Sequence, residues 1–198
     1  MRAFAMIGLV AHYEATGQAT YLSKLQQRVG QLHQMQVDNG RRAWVHNLYD
    51  HDPSESCPTT AYGSSPWMSG LLLEALVRYH KLTQDTLARD SILMAVDDLQ
   101  STAVASSGAF AGDSLIYLTC PSVYSDGNPD LDNLVSHVFA YAYRLSGHAR
   151  TDYRDLGLAL FNTAVDNGYS GAAKQFDQQF RSSGYFVADI DPAWASAP

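Results

Sequence analysis

The stretch SPWMSGLLLEALVRYHKLTQD, residues 65–85, carries the decisive pattern of this chain. Ser65, a residue able to cap a helix, stands before Pro66, whose ring presets the backbone of a first helical turn and whose missing N–H costs nothing there. Beyond Pro66 the segment is apolar at almost every position, with Glu74, Arg78 and Lys81 as the charges before the polar turn at Gln84 and Asp85. A helix apolar round most of its circumference belongs inside a structure, not on its surface. The pattern recurs. Pro129 and Pro192 stand at successive intervals of 63 residues, each after a residue able to cap, Asn128 and Asp191. The run PDLDNLVSHVFAYAYRL from Pro129 and the opening MRAFAMIGLVAHYEAT match it, the latter without a cap of its own, and the three segments end in YEATGQ, HKLTQD and YRLSGH.

After each turn comes a second helical segment with more charge, over residues of about 19–37, 85–104 and 151–166. In the middle one Asp85, Arg89, Asp90, Asp97 and Asp98 mark an outward face. Glycines at 40, 108 and 168 close these segments, and each is expected in the left-handed conformation that ends a helix. The unit is an apolar helix, a tight turn, a more polar helix, a glycine stop and a long loop. Its repetition predicts an all-α chain of one domain, with units at about 1–65, 66–128 and 129–191 and a tail at 192–198. Apolar helices form an inner layer and polar ones an outer layer, so the expected fold is an incomplete α/α toroid: an arc of three helical hairpins with long loops on one face.

Residues 65–85 and their counterparts resemble the hairpin units of the six-hairpin glycosidase and α/α-toroid polysaccharide lyase superfamily. The resemblance covers about residues 1–168 and rests on repeat grammar; Gln84 stands where that pattern has glycine. It implies a carbohydrate-active protein, a glycoside hydrolase or a polysaccharide lyase, with oligosaccharide or polysaccharide bound in a cleft lined by the outer-to-inner loops. A closed toroid of that kind carries twice the hairpins found here. The arc is therefore expected to be a fragment of a longer enzyme or to self-associate through exposed hairpin ends.

Bulk properties exclude some classes. The net charge is −7, and no basic cluster exceeds the Arg41-Arg42 pair, which argues against a nucleic-acid partner. No apolar run reaches the ~20 residues of a membrane span. The first eleven residues, MRAFAMIGLVA, mimic a secretory signal, but no clear cleavage site comes after them and the repeat claims them as a helix. The compartment stays open. Cys57 and Cys120 open two related loops, CPTTAYGSSP and CPSVYSDGNP, and form no disulfide framework or zinc motif. On adjacent hairpins they stand too far apart to bridge unless the loops fold inward, so free thiols are expected. His46, Asp50, His51 and Asp52 are close in sequence but lack a metal-ligand spacing, and no metal or cofactor is expected.

Chemistry is expected in the loops at 41–65, 109–128 and 169–191, since loops of this length inside a compact domain are usually functional. The first supplies Arg42, Trp44, His46, Tyr49, Asp50, His51, Asp52 and Tyr62, with Trp67 heading the next helix; alternation in RAWVHNLYDHD suggests a short strand. The second supplies Asp113, Tyr117, Tyr124 and Asp126, and the third inner helix carries His137, in register with Glu74. Trp and Tyr rings stack on sugar faces, and Arg, Asp and His bond hydroxyls or a uronate. Hydrolysis would use a pair of carboxyl groups from adjacent loops, Asp50 or Asp52 with Asp113 or Asp126. Elimination would use Tyr49, His46 or His51 as base, with Arg42 neutralising the uronate. The competing readings are a non-catalytic helical-repeat binding module, tryptophans that merely plug the hairpin interfaces, and a His137 that is a satisfied core group.

Overall fold

The computed structural model describes residues 2–49, 57–120, 122–169, 171, 177 and 180–191, so the expected tail at 192–198 lies outside the described residues. Among them the chain is all-α, with seven helices and one two-stranded ribbon. In order these are α1 (Arg2–Thr16), α2 (Ala19–Asp38), β1 (His46–Asn47), β2 (Tyr62–Gly63), α3 (Pro66–Thr83), α4 (Thr86–Thr102), α5 (Pro129–Leu145), α6 (Thr151–Asn167) and α7 (Ser183–Ile190). Each of α1, α3 and α5 packs against the helix after it, and the three pack side by side, α1 on α3 and α3 on α5. On the other layer α2 packs on α4. Tyr153 and Arg150 of the third pair reach Asp97 of α4 at 2.5 and 3.4 Å. None of the described helices is long and apolar enough to cross a membrane.

Burial obeys the predicted asymmetry in two of the three pairs. In α3 and α5 most residues are buried, with Leu73, Leu76, Val138 and Phe139 fully enclosed, whereas α4 and α6 bury only one stripe each. The two inner helices approach closely at Gly70: a Cβ there would run into the carbonyl oxygen of Leu134 and the side chain of Val135. In α1, by contrast, Met6 and Val10 are buried while Phe4 is 63% exposed. Apolar composition makes burial possible, but α1 packs on α2 and α3 where α3 packs on α1, α4 and α5, and α1 buries less of its surface.

Helix ends agree with the sequence in part. Pro66 and Pro129 occupy the first turns of α3 and α5, yet Ser65 and Asn128 at the cap positions make no side-chain capping bond. Asp85 does cap α4, accepting from the Ala88 amide at 3.1 Å and from the Tyr79 hydroxyl at 2.9 Å. Of the three predicted glycine stops, Gly40 alone acts as expected, just after α2 at φ 64°. Gly108 (φ 78°) lies in the loop beyond the end of α4, and Gly168 ends α6 in an extended conformation. The left-handed stops of the short turns are Gly17 (φ 62°), Gln84 (φ 56°) and Gly147 (φ 63°), the last two one repeat apart.

The repeat pattern assigns residues 169–191 to a loop, and the structure places α7 inside it. Its short length hides any clear period; tertiary contacts decide it. Phe186 stacks on Phe161 of α6 at 4.3 Å, and the buried Asp189 accepts from Lys81 of α3 at 2.7 Å and Arg144 of α5 at 3.0 Å. Just ahead of α7, Arg181 donates to the buried Glu74 of α3 at 2.8 Å. The segment thus closes over the groove between α3 and α5.

The loops after α2 and α4 meet. β1 pairs antiparallel with β2, His46 opposite Gly63, and the Thr119 amide donates to the Ser64 carbonyl at 3.0 Å. The loops do fold inward. Cys57 and Cys120 are both buried in a small apolar cluster with Leu48 and Leu118, and no disulfide joins them.

Candidate functional site

The loops at the N-terminal ends of α3 and α5 build a face with three distinct surfaces, and the β1–β2 ribbon divides two of them. On the α4 side of the ribbon lies a polar cleft of about 690 Å³, walled by Arg41, Tyr62, Asp98, Ser101, Thr102 and Thr119 among others. Tyr62 is 58% exposed there. The Arg41 guanidinium donates to the Tyr62 carbonyl at 2.5 Å, and its backbone amide donates to the Asn39 side-chain oxygen at 2.8 Å, which fixes the residue at the rim. Burial pushes the Asp98 carboxyl up to about 6, against the opposing pull of the Thr102 hydroxyl and the Arg41 charge. A carboxyl raised in this way within a cleft marks functional groups more often than solvated ones.

Across the ribbon is a second cavity of about 370 Å³, lined largely by apolar side chains that include Leu32, Met35, Trp44, Met68 and Leu72. His46 and Ser65 contribute polar groups to its wall. The Trp44 indole donates to the Leu32 carbonyl at 3.0 Å, which anchors the ring between α2 and the loop.

The third surface is an aromatic row. Trp67 stacks on Tyr117 with centroids 6.5 Å apart, and Tyr117 meets Tyr124 at 5.7 Å. Beside it, Asp132 is buried at the start of α5, where one carboxylate oxygen accepts from the Leu115 amide at 3.0 Å and the other has no hydrogen-bond partner among the described residues. Burial raises this carboxyl to about 7.

The structure therefore distributes the residues picked from sequence. Trp67, Tyr117 and Tyr124 come together in the row, Trp44 and His46 share the apolar cavity, and Tyr62 stands in the polar cleft. Arg42 does not enter the cleft: its left-handed backbone (φ 61°) turns the side chain toward Asp97 at 3.6 Å, and its neighbour Arg41 takes the place. Tyr49 is exposed at the edge, and Asp113 is exposed in the turn after Phe110. Asp126 accepts from the Ser107 hydroxyl and ties the second loop together. His137 is fully enclosed beneath α7, with Tyr185 at 6.4 Å, and burial lowers it to about 3. Asp50, His51 and Asp52 lie outside the described residues. Sequence reasoning missed Arg41, Asp98 and Asp132; Asp98 reads as one more charge on an outer helix, and nothing in its neighbours in sequence reveals that a loop folds over it. Among the described residues, no group of three His, Cys, Asp or Glu side chains stands close enough to hold a metal ion.

No protein-family model matches the chain, and no curated protein or solved structure matches it either. The reading of the site rests on its own geometry.

Proposed function

We propose that this chain is a carbohydrate-binding helical protein whose glycan site is the polar cleft, and that its hairpins are part of an α/α toroid of the six-hairpin glycosidase and polysaccharide lyase kind. The observation that carries the reading is the wall of the cleft: one exposed tyrosine ring, one arginine, one carboxyl raised by burial and several Ser and Thr hydroxyls around about 690 Å³. That is the chemistry sugars need, an aromatic face for ring C–H groups and paired donors and acceptors for hydroxyls. Three helix pairs side by side, with long loops on one face, support the toroid reading.

Binding is the function this wall supports best. Hydrolysis needs two carboxyl groups about 5–9.5 Å apart, and Asp98 is the single carboxylate among the described residues of the wall. Elimination has more support in the cleft, where Tyr62 and Arg41 both line the wall and supply a phenol and a cation. A panel of neutral and uronate-containing oligosaccharides, titrated by calorimetry, tests the proposal. Saturable binding that Tyr62→Ala weakens by about 1 kcal/mol, with no turnover, is the expected result. New ultraviolet absorbance from an unsaturated product would move the assignment to a lyase, and release of reducing ends to a hydrolase. Absence of binding across the panel would overturn the carbohydrate reading.

A further inference from the structure

We propose that the cavity between the first turns of α1 and α3 is a binding site for a small neutral molecule with an apolar body of about two fused rings and a single hydroxyl group. Its ligand is separate from the glycan assigned to the cleft, because the β1–β2 ribbon stands between the two and Val45 faces both.

Three observations converge. The cavity measures about 370 Å³ and its wall is mostly apolar, with Leu32, Met35, Met68 and Leu72 around the Trp44 ring. An apolar cavity of about 150 Å³ already holds benzene in place of water, so this one accommodates a two-ring body. Second, the polar wall is sparse and holds no carboxylate, lysine or arginine: Ser65, Ser69 and His46 are the polar side chains apart from the Trp44 indole, whose N–H is already taken by the Leu32 carbonyl. A neutral ligand is thus preferred to an ion, whose desolvation no Lys, Arg, Asp or Glu in the wall would offset.

Third, Ser65 is misused as a cap. It occupies the cap position of α3, where serine ordinarily accepts a hydrogen bond from a first-turn amide, yet its side chain makes no such bond. The residue is 2% exposed, and its hydroxyl has no partner among the described residues. A buried hydroxyl left without a partner loses its solvation and gains nothing in return. A ligand hydroxyl in the cavity restores that bond once the Ser65 side chain, whose oxygen lies beneath the cavity wall, turns toward it, at the end of the helix whose positive pole favours an electronegative atom. Apolar walls with a few convergent polar groups are the usual composition of small-molecule sites.

The test uses the full chain and three probes of one shape: 2-naphthol, naphthalene and 2-naphthoate, with affinities from ligand-observed NMR. Expected is saturable binding of 2-naphthol, with naphthalene bound about fivefold more weakly for want of the hydroxyl bond. Ser65→Ala should bring 2-naphthol down to the naphthalene level and leave naphthalene unchanged, with no loss of stability, since no capping bond is removed. Met68→Trp, which fills the cavity, should abolish both. Tyr62→Ala, in the cleft, should alter neither, so failure here and failure of the glycan reading are separable. The proposal is overturned if 2-naphthol shows no saturable binding, if naphthoate binds more tightly than naphthol, or if Ser65→Ala weakens naphthalene and naphthol equally. Should Met68→Trp fail to fold, the Ser65→Ala comparison decides alone.

Discussion

Glu74 of α3 and His137 of α5 stand at the same place in successive repeats, both buried, and the molecule treats them in opposite ways. Glu74 accepts from Arg181 at 2.8 Å and from Arg78 at 3.5 Å, so its charge is surrounded by guanidinium groups. His137 has no hydrogen-bond partner at either ring nitrogen among the described residues, and burial holds it neutral down to about pH 3. Desolvation dominates there; the attraction of Asp189 is opposed by Lys81 and Arg181. Repeat register therefore places an ionisable group at the inner face without deciding its state. The state depends on which partners a later segment delivers, and residues 181–190 deliver an arginine to α3 and a carboxylate already claimed by Lys81 and Arg144.

The largest effect is expected from removing the paired member of the two. Glu74→Ala leaves Arg181, its side chain 28% exposed, without its carboxylate, while Arg78 keeps Glu14. The expected loss is about 3 kcal/mol, read as a lower urea midpoint with unchanged slope. Glu74→Gln should lose less, because its amide keeps part of the hydrogen bonding.

His137→Leu should expose the contrast through pH. The folded-state pKa of His137 lies below its unfolded value near 6.5, so its contribution is intact above about pH 6.5 and is lost as pH falls toward 3. From pH 7 to pH 5 the wild type should lose about 2 kcal/mol from this group, and the leucine variant should lack that part of the slope. Asp132 acts with the opposite sign. Its raised value of about 7 means stability falls as pH climbs from 4 through 7, so the two contributions separate by comparing each variant with wild type across about pH 4–8. A slope unchanged in His137→Leu would show that the imidazole reaches water or a partner.

The smallest effect concerns the turns that end the same two helices. Gln84 and Gly147 both sit in the left-handed region, at φ 56° and 63°. A side chain costs about 1 kcal/mol there relative to glycine. The Gln84 amide recovers part of it by donating to the His80 carbonyl at 3.2 Å. Gln84→Gly should therefore raise stability by roughly 0.5 kcal/mol, seen as a small increase in Tm.

How far the residues themselves announced this structure depends on the range over which each signal acts. Pro66 and Pro129 presaged the starts of α3 and α5, and the apolar runs behind them presaged helices that bury most of their surface. The ends of α2, α4 and α6 all fall within two residues of the expected boundaries. The cap residues were legible by type and not by action: serine at 65 looks like any capping serine, and the hydrogen bond it fails to make depends on where its hydroxyl finds room. Arg42 was chosen over Arg41 because two adjacent arginines are equivalent in sequence, and one left-handed residue decides which of them faces the cleft. Asp98 and Asp132 look like surface acids until a neighbouring loop covers them.

Helix type, pairing order, layer and the places where loops must run were dictated by the order of amino acids alone, because they arise from backbone propensities and from apolar residues that recur within a turn or within a repeat. Three features came only with the packed chain: α7, the closing of residues 181–190 over Glu74 and His137, and the division of the loop face into a polar cleft, an apolar cavity and an aromatic row. These depend on contacts between residues far apart in the chain, such as Arg181 with Glu74 and Ser64 with Thr119. Desolvation and hydrogen bonding at such contacts are set by three-dimensional neighbours, and no window of sequence contains them.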